Sequence, residues 1–334
     1  MSNWIVPFNN LPSPIEFNTE DGKEARERYF RDICNNKKIE KNYFEVEGRP
    51  VIISPKCHLV HHFDKYLIIG PHNIEVLYYE PLRAIFHDFF TEKEMAWMMS
   101  YSRPRLSATR LVSEEIEKER KRNGVGMTVH KSVQTWFADI LYDEEEIIEV
   151  SSEDPPYTAL PLKNRYNFTI QHEMMNEISR RIEIATQLNL TTRHGSSKYQ
   201  TTNYGLGGLV HLHTDPVGYE QGAKLPEERK ELVTTGDYIA TFMGWLDDVP
   251  LGGGTGFPAK GYEGVLKPIK GSAAFWINLL SCHLKDYRSQ HGGCPVLKGT
   301  KWIVNKWIYS WDQWKGWPCY MEISRSINPF TGIT

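Results

Sequence analysis

The stretch Tyr238-Ile239-Ala240-Thr241-Phe242-Met243-Gly244-Trp245-Leu246 predicts a β-strand. Similar runs predict strands at Ala273 to Ile277 and at Lys301 to Tyr309. Glycine-rich turns lie between these runs, for example at Gly252-Gly253-Gly254 and Gly292-Gly293. Many short strands joined by glycine turns, with no regular alternation of strand and helix, indicate an antiparallel sandwich or barrel.

Two helices are predicted to flank these strands. Thr91-x-x-Glu94 is a capping box, which predicts a helix that ends before Pro104. A second helix is predicted from Ile170 to Leu188, and it is expected to pack on a sheet through one apolar face, made of Ile170, Met174, Ile178, Ile182 and Ala185. A further strand is predicted within Pro81 to Phe90. The fold class is therefore mostly β with flanking helices.

The chain divides into three parts by its sequence. Residues 1–76 form an N-terminal arm that is partly helical around Glu20 to Cys34 and includes a short β-like run at Pro50 to Ile53. Residues 77–320 form the main domain, and residues 321–334 form a C-terminal tail. An acidic stretch from Asp143 to Pro156 is expected to be an exposed insertion.

Composition excludes several classes of protein. With 334 residues, 40% hydrophobic and 24% charged, the chain is typical of a globular protein. A net charge of −3 gives no electrostatic basis for nucleic acid as a main partner. No apolar stretch reaches the roughly 18 residues that span a bilayer. Met1 to Ile15 shows no signal peptide, so either the protein stays in the cytosol or the true beginning of the chain is missing.

One pair of residues predicts a metal site. In a β-strand, residues i and i+2 project to the same side, so His213 and Asp215 can converge on one ion. Non-haem Fe(II) oxygenases hold their iron with two histidines and one carboxylate on one face, which leaves the other face open. His291 lies downstream at a suitable distance to be the second histidine.

A rival triplet of the same type occurs at His62-Phe63-Asp64. Its histidine is expected to be an ordinary surface or loop residue. His213 is preferred because it follows Asn203-Tyr204-Gly205-x-Gly207-Gly208 in the β-rich half of the chain, with His291 and a lysine downstream.

The downstream lysine is Lys301, ten residues after His291 and near the start of a predicted strand. A buried ammonium there can bind the distal carboxylate of a dicarboxylic cosubstrate by a charge-assisted hydrogen bond. Strand alternation places Ile303, Asn305, Trp307 and Tyr309 on the same face as Lys301.

These residues belong to an ordered series of motifs. The series begins with Tyr204-x-x-Gly207-Gly208, His213-x-Asp215, Gly236-Asp237-Tyr238-Ile239-Ala240-Thr241-Phe242, Gly252-Gly253-x-Thr255-x-Phe257-Pro258 and Pro268-x-Lys270-Gly271-x-Ala273-x-Phe275-Trp276. It continues with His291-x-x-Cys294-Pro295-Val296-Leu297 and Gly299-x-Lys301-Trp302-x-x-Asn305-Lys306-Trp307. Together they closely resemble the catalytic region of the α subunit of animal collagen prolyl 4-hydroxylases. The resemblance extends from about Leu77 to Cys319.

The resemblance implies a double-stranded β-helix, or jelly roll, with Fe(II), 2-oxoglutarate, O2 and L-ascorbate as cofactors and cosubstrates. By position, it implies iron ligands at His213, Asp215 and His291. It also implies that Lys301 binds the distal carboxylate of 2-oxoglutarate with help from Tyr204 and Thr241, while Trp307 lines the pocket.

The reaction implied is 4-hydroxylation of proline in procollagen or collagen-like peptides, coupled to conversion of 2-oxoglutarate to succinate. Alternatives are hydroxylation of another residue such as lysine, oxidation of a small molecule, and a binding module that has lost turnover. The resemblance also implies a protein disulfide isomerase partner and the endoplasmic reticulum lumen. A cytoplasmic location stays open, because no signal peptide is visible. One departure lies close to the chemistry, where Tyr309 replaces a histidine usual in the family.

The five cysteines form neither a dense disulfide scaffold nor a CxxC metal site. The resemblance implies a disulfide between Cys294 and Cys319. Cys34 also matches a family cysteine, but its usual partner position holds Tyr43, so Cys57 is a candidate substitute. Free thiols in a reducing compartment are the alternative.

Overall fold

A computed structural model describes residues 20–35, 43–46, 49–52, 56–60, 71–108, 132–137, 162–192, 194–217, 232–259, 261–313 and 315–317. Its α-helices in this part of the chain are α1 (Glu20–Cys34), α2 (Glu92–Ser102) and α3 (Leu162–Thr186). Short 3-10 helices occur at Arg103–Arg105, Tyr287–Ser289 and Trp311–Gln313. Helix α2 begins with the predicted capping box, because Thr91 Oγ1 accepts from the Glu94 amide and Glu94 accepts from the Thr91 amide.

The strands in the described ranges follow the glycine-punctuated pattern of the sequence. They are β1 (Tyr43–Val46), β2 (Arg49–Ile52), β3 (Lys56–Val60), β4 (His72–Tyr79), β5 (Leu82–His87), β6 (Ser107–Ala108), β7 (Ser132–Phe137), β8 (Tyr199–Tyr204), β9 (Val210–His213), β10 (Tyr238–Trp245), β11 (Leu251–Gly252), β12 (Thr255–Phe257), β13 (Gly264–Leu266), β14 (Ala273–Ile277), β15 (His291–Gly293), β16 (Val296–Lys298) and β17 (Lys301–Tyr309). The three predicted strands β10, β14 and β17 are confirmed.

Two antiparallel sheets form the body of the protein. The major sheet has nine strands in the order β3-β4-β5-β14-β10-β17-β8-β7-β6, and the minor sheet has four in the order β13-β12-β15-β9. Strands distant in sequence are neighbours in both sheets, and an apolar layer that includes Met243, Phe257, Trp276 and Ile303 lies between them. The predicted jelly roll, mostly β with flanking helices, is confirmed by this arrangement.

Helices α2 and α3 cover the other face of the major sheet. Met98 of α2 and Ile178 and Ile182 of α3 are completely buried in one cluster with Phe86 and Phe275 of the sheet. The predicted second helix is confirmed, although it begins at Leu162 and ends at Thr186. Alternation along the strands therefore sends one set of side chains to the helices and the other set to the space between the sheets.

Helix α1 lies on the outer face of the minor sheet. Phe30 packs so closely there that a Cβ atom at Gly256 or Gly292 would come within 2.8 Å or 2.7 Å of its ring. The packing also brings the Cα atoms of Cys34 and Cys294 to 5.4 Å, and the two residues form a disulfide. The expected Cys294–Cys319 pair is therefore wrong in this structure, and Cys34 does not pair with Cys57.

Several sequence expectations lie outside the described residues. These are the His62-Phe63-Asp64 triplet, the acidic insertion, the C-terminal tail and Cys319. Within the ranges that the structure covers, no helix is both long enough and apolar enough to cross a membrane.

Candidate metal centre and cosubstrate pocket

A cavity of about 280 Å³ lies between the two sheets. Strands β7, β8, β10 and β17 of the major sheet form one wall, and β9 and β15 of the minor sheet form the opposite wall. All seven site residues predicted from the sequence line this cavity: Tyr204, His213, Asp215, Thr241, His291, Lys301 and Trp307. Six of them belong to those strands, and Asp215 lies two residues after the end of β9.

The two predicted histidine ligands are direct neighbours across the minor sheet. His213, the last residue of β9, pairs with His291, the first residue of β15, and their ring centroids are 4.5 Å apart. Asp215 stands two residues beyond His213. One ligand atom from each of the three residues lies within 4.8 Å of the others. The strand register thus brings together residues that lie 76 or more positions apart in sequence.

Backbone carbonyls fix the orientation of both histidine rings. His213 Nδ1 lies 2.8 Å from the His211 carbonyl oxygen, and His291 Nδ1 lies 2.9 Å from the Ser289 carbonyl oxygen. A carbonyl can only accept, so each Nδ1 carries the hydrogen and each Nε2 keeps its lone pair. The two Nε2 atoms lie 3.5 Å and 3.7 Å from Asp215 Oδ1, so three donor atoms face one point.

The electrostatics of the site favour metal ligation. Burial alone would raise the pKa of Asp215, but His291, His213 and a hydrogen bond from Thr241 outweigh it and hold that pKa well below its usual range. Burial lowers the pKa of His291 to about 4. Burial also lowers the pKa of His213, but Asp215 raises it by more, so the net shift is upward. At neutral pH the site therefore offers an ionised carboxylate and a neutral His291.

A buried arginine supports the segment that carries His291. The Arg83 guanidinium stacks 3.6 Å from the centroid of Phe257, whose ring in turn packs 5.3 Å from His291. Arg83 also donates to the carbonyl oxygens of Tyr262 and Arg288, at 2.9 Å and 3.4 Å. His291 is accordingly 7% exposed, whereas the His213 side chain is 42% exposed and marks the open side of the site.

These residues suit Fe(II). Two imidazole nitrogens and one carboxylate oxygen converge from one side, which is the donor set of non-haem Fe(II) oxygenases. The second nitrogen of each ring is already engaged by a carbonyl, as metal-binding histidines generally are. The side facing the cavity keeps room for further ligands.

Lys301 forms the other end of the pocket. It is 3% exposed, and its cross-strand partner is Tyr204, whose ring centroid lies 5.5 Å from Nζ. Thr255 Oγ1 lies 3.5 Å from Nζ. Burial lowers the pKa of Lys301 to about 7. Among the described residues no carboxylate lies within 4.0 Å of this ammonium, so the structure supplies it with no counter-charge.

Thr241 does not accompany Lys301. It pairs with Trp307, six positions along β17 from Lys301, which is about 20 Å of strand. Its hydroxyl instead donates to Asp215 Oδ2 at 2.5 Å. The predicted role of Thr241 toward 2-oxoglutarate stays a prediction. The threonine hydroxyl within 3.5 Å of Lys301 Nζ is that of Thr255. Thr255 lies within the Gly252-Gly253-x-Thr255 motif. This motif was the feature of the sequence that could have indicated a residue close to Lys301.

Aromatic and amide side chains line the mouth of the pocket. Trp307 packs 5.7 Å from Trp136 and 5.8 Å from Tyr238, measured between ring centroids. Tyr309 is not among the described residues that line the cavity. Its ring stacks on Tyr238 at 5.4 Å, so it reaches the mouth only through that residue.

The fold and the site define a jelly-roll protein with a two-histidine, one-carboxylate centre and a buried lysine. No family model matches the chain. Human prolyl 4-hydroxylase subunit alpha-1 is 37% identical over 152 residues, which is 46% of this chain and 27% of the relative. Human prolyl 4-hydroxylase subunit alpha-3 is 30% identical over 256 residues, which is 76% of this chain and 38% of the relative. The chain thus resembles the prolyl 4-hydroxylase α subunits in their catalytic region, and it spans well under half the length of these relatives.

Solved structures give a weaker likeness. A viral collagen prolyl hydroxylase from Paramecium bursaria chlorella virus 1, in complex with 2OG, is 19% identical with a TM-score of 0.37, covering 68% of this chain and 94% of that chain. A prolyl-4-hydroxylase from Pseudomonas putida is 12% identical with a TM-score of 0.34, covering 68% and 91%. The jelly-roll fold is defined by the strand order and register of the two sheets.

Proposed function

We propose that this protein is an Fe(II)- and 2-oxoglutarate-dependent dioxygenase that hydroxylates proline in peptides at C4. One observation carries the proposal. A single cavity holds His213, Asp215 and His291 at one end and, at the other, the buried Lys301, which no carboxylate of the described residues approaches within 4.0 Å. A dicarboxylic 2-oxo acid matches both ends. Its 2-oxo and adjacent carboxylate oxygens can bind a metal held at the first end, and its distal carboxylate can pair with Lys301 at the second.

The residues of the chain then have distinct tasks. His213, Asp215 and His291 hold iron, which together with O2 and 2-oxoglutarate supplies the oxidising chemistry. Lys301 neutralises the distal carboxylate of 2-oxoglutarate, Thr255 can donate a second hydrogen bond to it, and Tyr204 covers it. One oxygen atom of O2 enters the proline and the other enters succinate as CO2 leaves, so the reaction balances without another substrate.

The relatives support proline as the substrate, since both human proteins named above are prolyl 4-hydroxylase subunits. The mouth of the pocket suits an extended proline-containing segment, because aromatic grooves commonly bind such segments. Trp136, 44% exposed, Trp307 and Tyr238 provide this aromatic surface. A collagen-like peptide is the substrate class that we propose.

Further features of the proposal follow from the resemblance and the disulfide. Cys34–Cys294 supports an oxidising compartment, which agrees with the endoplasmic reticulum lumen. L-ascorbate as reductant and protein disulfide isomerase as partner subunit are proposed on the resemblance alone. Co-purification of protein disulfide isomerase with this chain from endoplasmic reticulum extracts tests the partner, and the dependence of turnover on ascorbate tests the reductant.

The central experiment is mass spectrometry of a collagen-like peptide of Gly-X-Y repeats after incubation with Fe(II), 2-oxoglutarate and ascorbate, with succinate measured in parallel. The expected product carries one added oxygen on proline, and a matched peptide with alanine at those positions gains none. Succinate without peptide oxidation would indicate another substrate, for which lysine-containing peptides are the next test. Absence of succinate would indicate a binding module and refute the proposal.

A further inference from the structure

Behind the carboxylate ligand lies a two-residue hydrogen-bond relay. Asn278 Nδ2 donates to Thr241 Oγ1 at 2.8 Å, and Thr241 Oγ1 donates to Asp215 Oδ2 at 2.5 Å. Asn278 is completely buried and Thr241 is 2% exposed, so bulk water does not compete with either bond. Asn278 was not selected from the sequence as a site residue.

The direction of the relay follows from the donors available. The amide nitrogen of Asn278 can only donate, so the Thr241 oxygen accepts from it. The single hydroxyl hydrogen of Thr241 is then left for Asp215. Consequently one carboxylate oxygen, Oδ2, is engaged, while Oδ1 faces His213 Nε2 at 3.5 Å and His291 Nε2 at 3.7 Å.

We propose that Asn278 and Thr241 are positioning residues that make Asp215 bind its metal through Oδ1 alone. This inference rests on the metal site of the proposed function and deepens it. A carboxylate free to turn can bind through both oxygens and take one more position on the metal. Held by the relay, Asp215 takes only one, which leaves the cavity side for the two oxygens of a 2-oxo acid and for O2.

The test measures metal binding without cosubstrate or peptide, with Co(II) as the probe and calorimetry as the readout. Thr241→Val keeps the shape of the side chain and removes the hydroxyl. Loss of a partner that orients a metal ligand typically weakens metal affinity about 10- to 100-fold, and we expect a change in that range. Thr241→Ser restores the hydroxyl and is expected to restore affinity. Thr186→Val, which removes a buried hydroxyl on α3, serves as the matched control.

A double-mutant cycle separates a relay from ordinary packing. Asn278→Leu removes the donor to Thr241 and is expected to weaken Co(II) binding less than Thr241→Val does. If Asn278 acts through Thr241, then Asn278→Leu causes no further loss of Co(II) affinity in the Thr241→Val background. The visible absorption spectrum of bound Co(II), which reports coordination, is expected to change in Thr241→Val and to return in Thr241→Ser.

The outcomes are distinguishable. Binding by Thr241→Val within about twofold of wild type, with an unchanged spectrum, would overturn the relay and leave the metal site intact. Additive effects of the two substitutions would also overturn it, because Asn278 would then act independently. His291→Ala is expected to abolish binding. A wild-type protein that binds no Co(II) would refute both the relay and the proposed function.

Discussion

The two ends of the pocket are built on opposite principles. At the metal end, each ligand has a second partner: a carbonyl for His213, a carbonyl for His291 and the Thr241 hydroxyl for Asp215. At the other end, Lys301 is buried beside Tyr204, and in the described part of the chain its ammonium has the Thr255 hydroxyl at 3.5 Å and no carboxylate within 4.0 Å. The metal end is preorganised, whereas the lysine end is electrostatically incomplete.

This difference indicates how specificity for the cosubstrate arises. A preorganised ligand set binds its ion with little rearrangement. An uncompensated buried ammonium is unfavourable by itself, and its cost is offset only when an anion of the right length arrives. We therefore expect the metal end to determine whether the protein turns over at all, and the lysine end to determine which oxo acid it uses.

The largest effect is expected at the metal end. His213→Ala, Asp215→Ala and His291→Ala each leave only two protein ligands, so each is expected to abolish succinate formation. His62→Ala, in the rival His-x-Asp triplet, is the control and is expected to be nearly silent. Comparable losses at His62 and His213 in the succinate assay would reverse the choice between the triplets.

The next largest effect is expected at Lys301. Lys301→Ala leaves a buried carboxylate unpaired, which typically costs about 3–5 kcal/mol, or roughly two to three decades in affinity or more. The KM for 2-oxoglutarate is therefore expected to rise by that factor while Co(II) affinity stays near wild type. An altered peptide KM with unchanged 2-oxoglutarate dependence would contradict the assignment.

The pKa of Lys301, lowered to about 7 by burial, gives the lysine end a distinctive pH dependence. Above pH 7 the unliganded lysine loses its proton, so affinity for 2-oxoglutarate is expected to fall by up to about tenfold per pH unit. Between about pH 7 and pH 10.5, Lys301 is protonated in the unfolded chain and deprotonated in the folded chain. Its contribution to the free energy of unfolding of the unliganded protein therefore rises with pH. Calorimetric titration at pH 7, 8 and 9 tests the affinity, and Lys301→Arg is expected to flatten its dependence.

The sequence predicted most of the metal end because its geometry is local. The spacing of His213 and Asp215 places both on one side by strand alternation, and His291 joins them through a single cross-strand pair. Strands β10, β14 and β17 were predictable from composition and glycine turns. The jelly-roll topology was not derivable from these local patterns and was implied by the resemblance.

What the sequence did not predict depends on long-range packing. Thr241 lies in a predicted strand and Thr255 in a predicted motif. The strand register of the folded chain is needed to show that Thr241 contacts Asp215 and that Thr255 contacts Lys301. The disulfide was misassigned because α1 returns from the N-terminal arm to cover the minor sheet. Nothing local to Cys34 encodes an approach to a residue 260 positions away.

A smaller effect is expected from this disulfide, which lies behind the metal end. Cys34→Ser removes a cross-link that typically contributes about 2–4 kcal/mol, so the free energy of unfolding should fall by that amount in a denaturant titration. Reduction of the wild-type protein should give the same loss. Cys282→Ser, at a free cysteine of the described region, is the control, because it keeps the Cys34–Cys294 bond and should lose the same stability on reduction as the wild type. Cys34→Ser itself should be insensitive to reductant. Equal stability of oxidised wild type and Cys34→Ser would show that the bond does not form in solution.

The smallest effect is expected at Tyr309, at the far end of the strand that begins with Lys301. Tyr309 is 9% exposed and stacks on Tyr238 with 21° between the ring planes, so it acts on the pocket mouth through that ring. Tyr309→Phe keeps the stack and is expected to leave peptide and 2-oxoglutarate KM values unchanged. Tyr309→Leu loses an aromatic pair worth about 0.5–1.5 kcal/mol, so the peptide KM should rise roughly two- to tenfold while the 2-oxoglutarate KM stays constant. A change confined to the 2-oxoglutarate KM would mean that Tyr309 contributes to cosubstrate binding together with Lys301. Tyr309 would then belong to the lysine end of the pocket and not to the peptide-binding mouth.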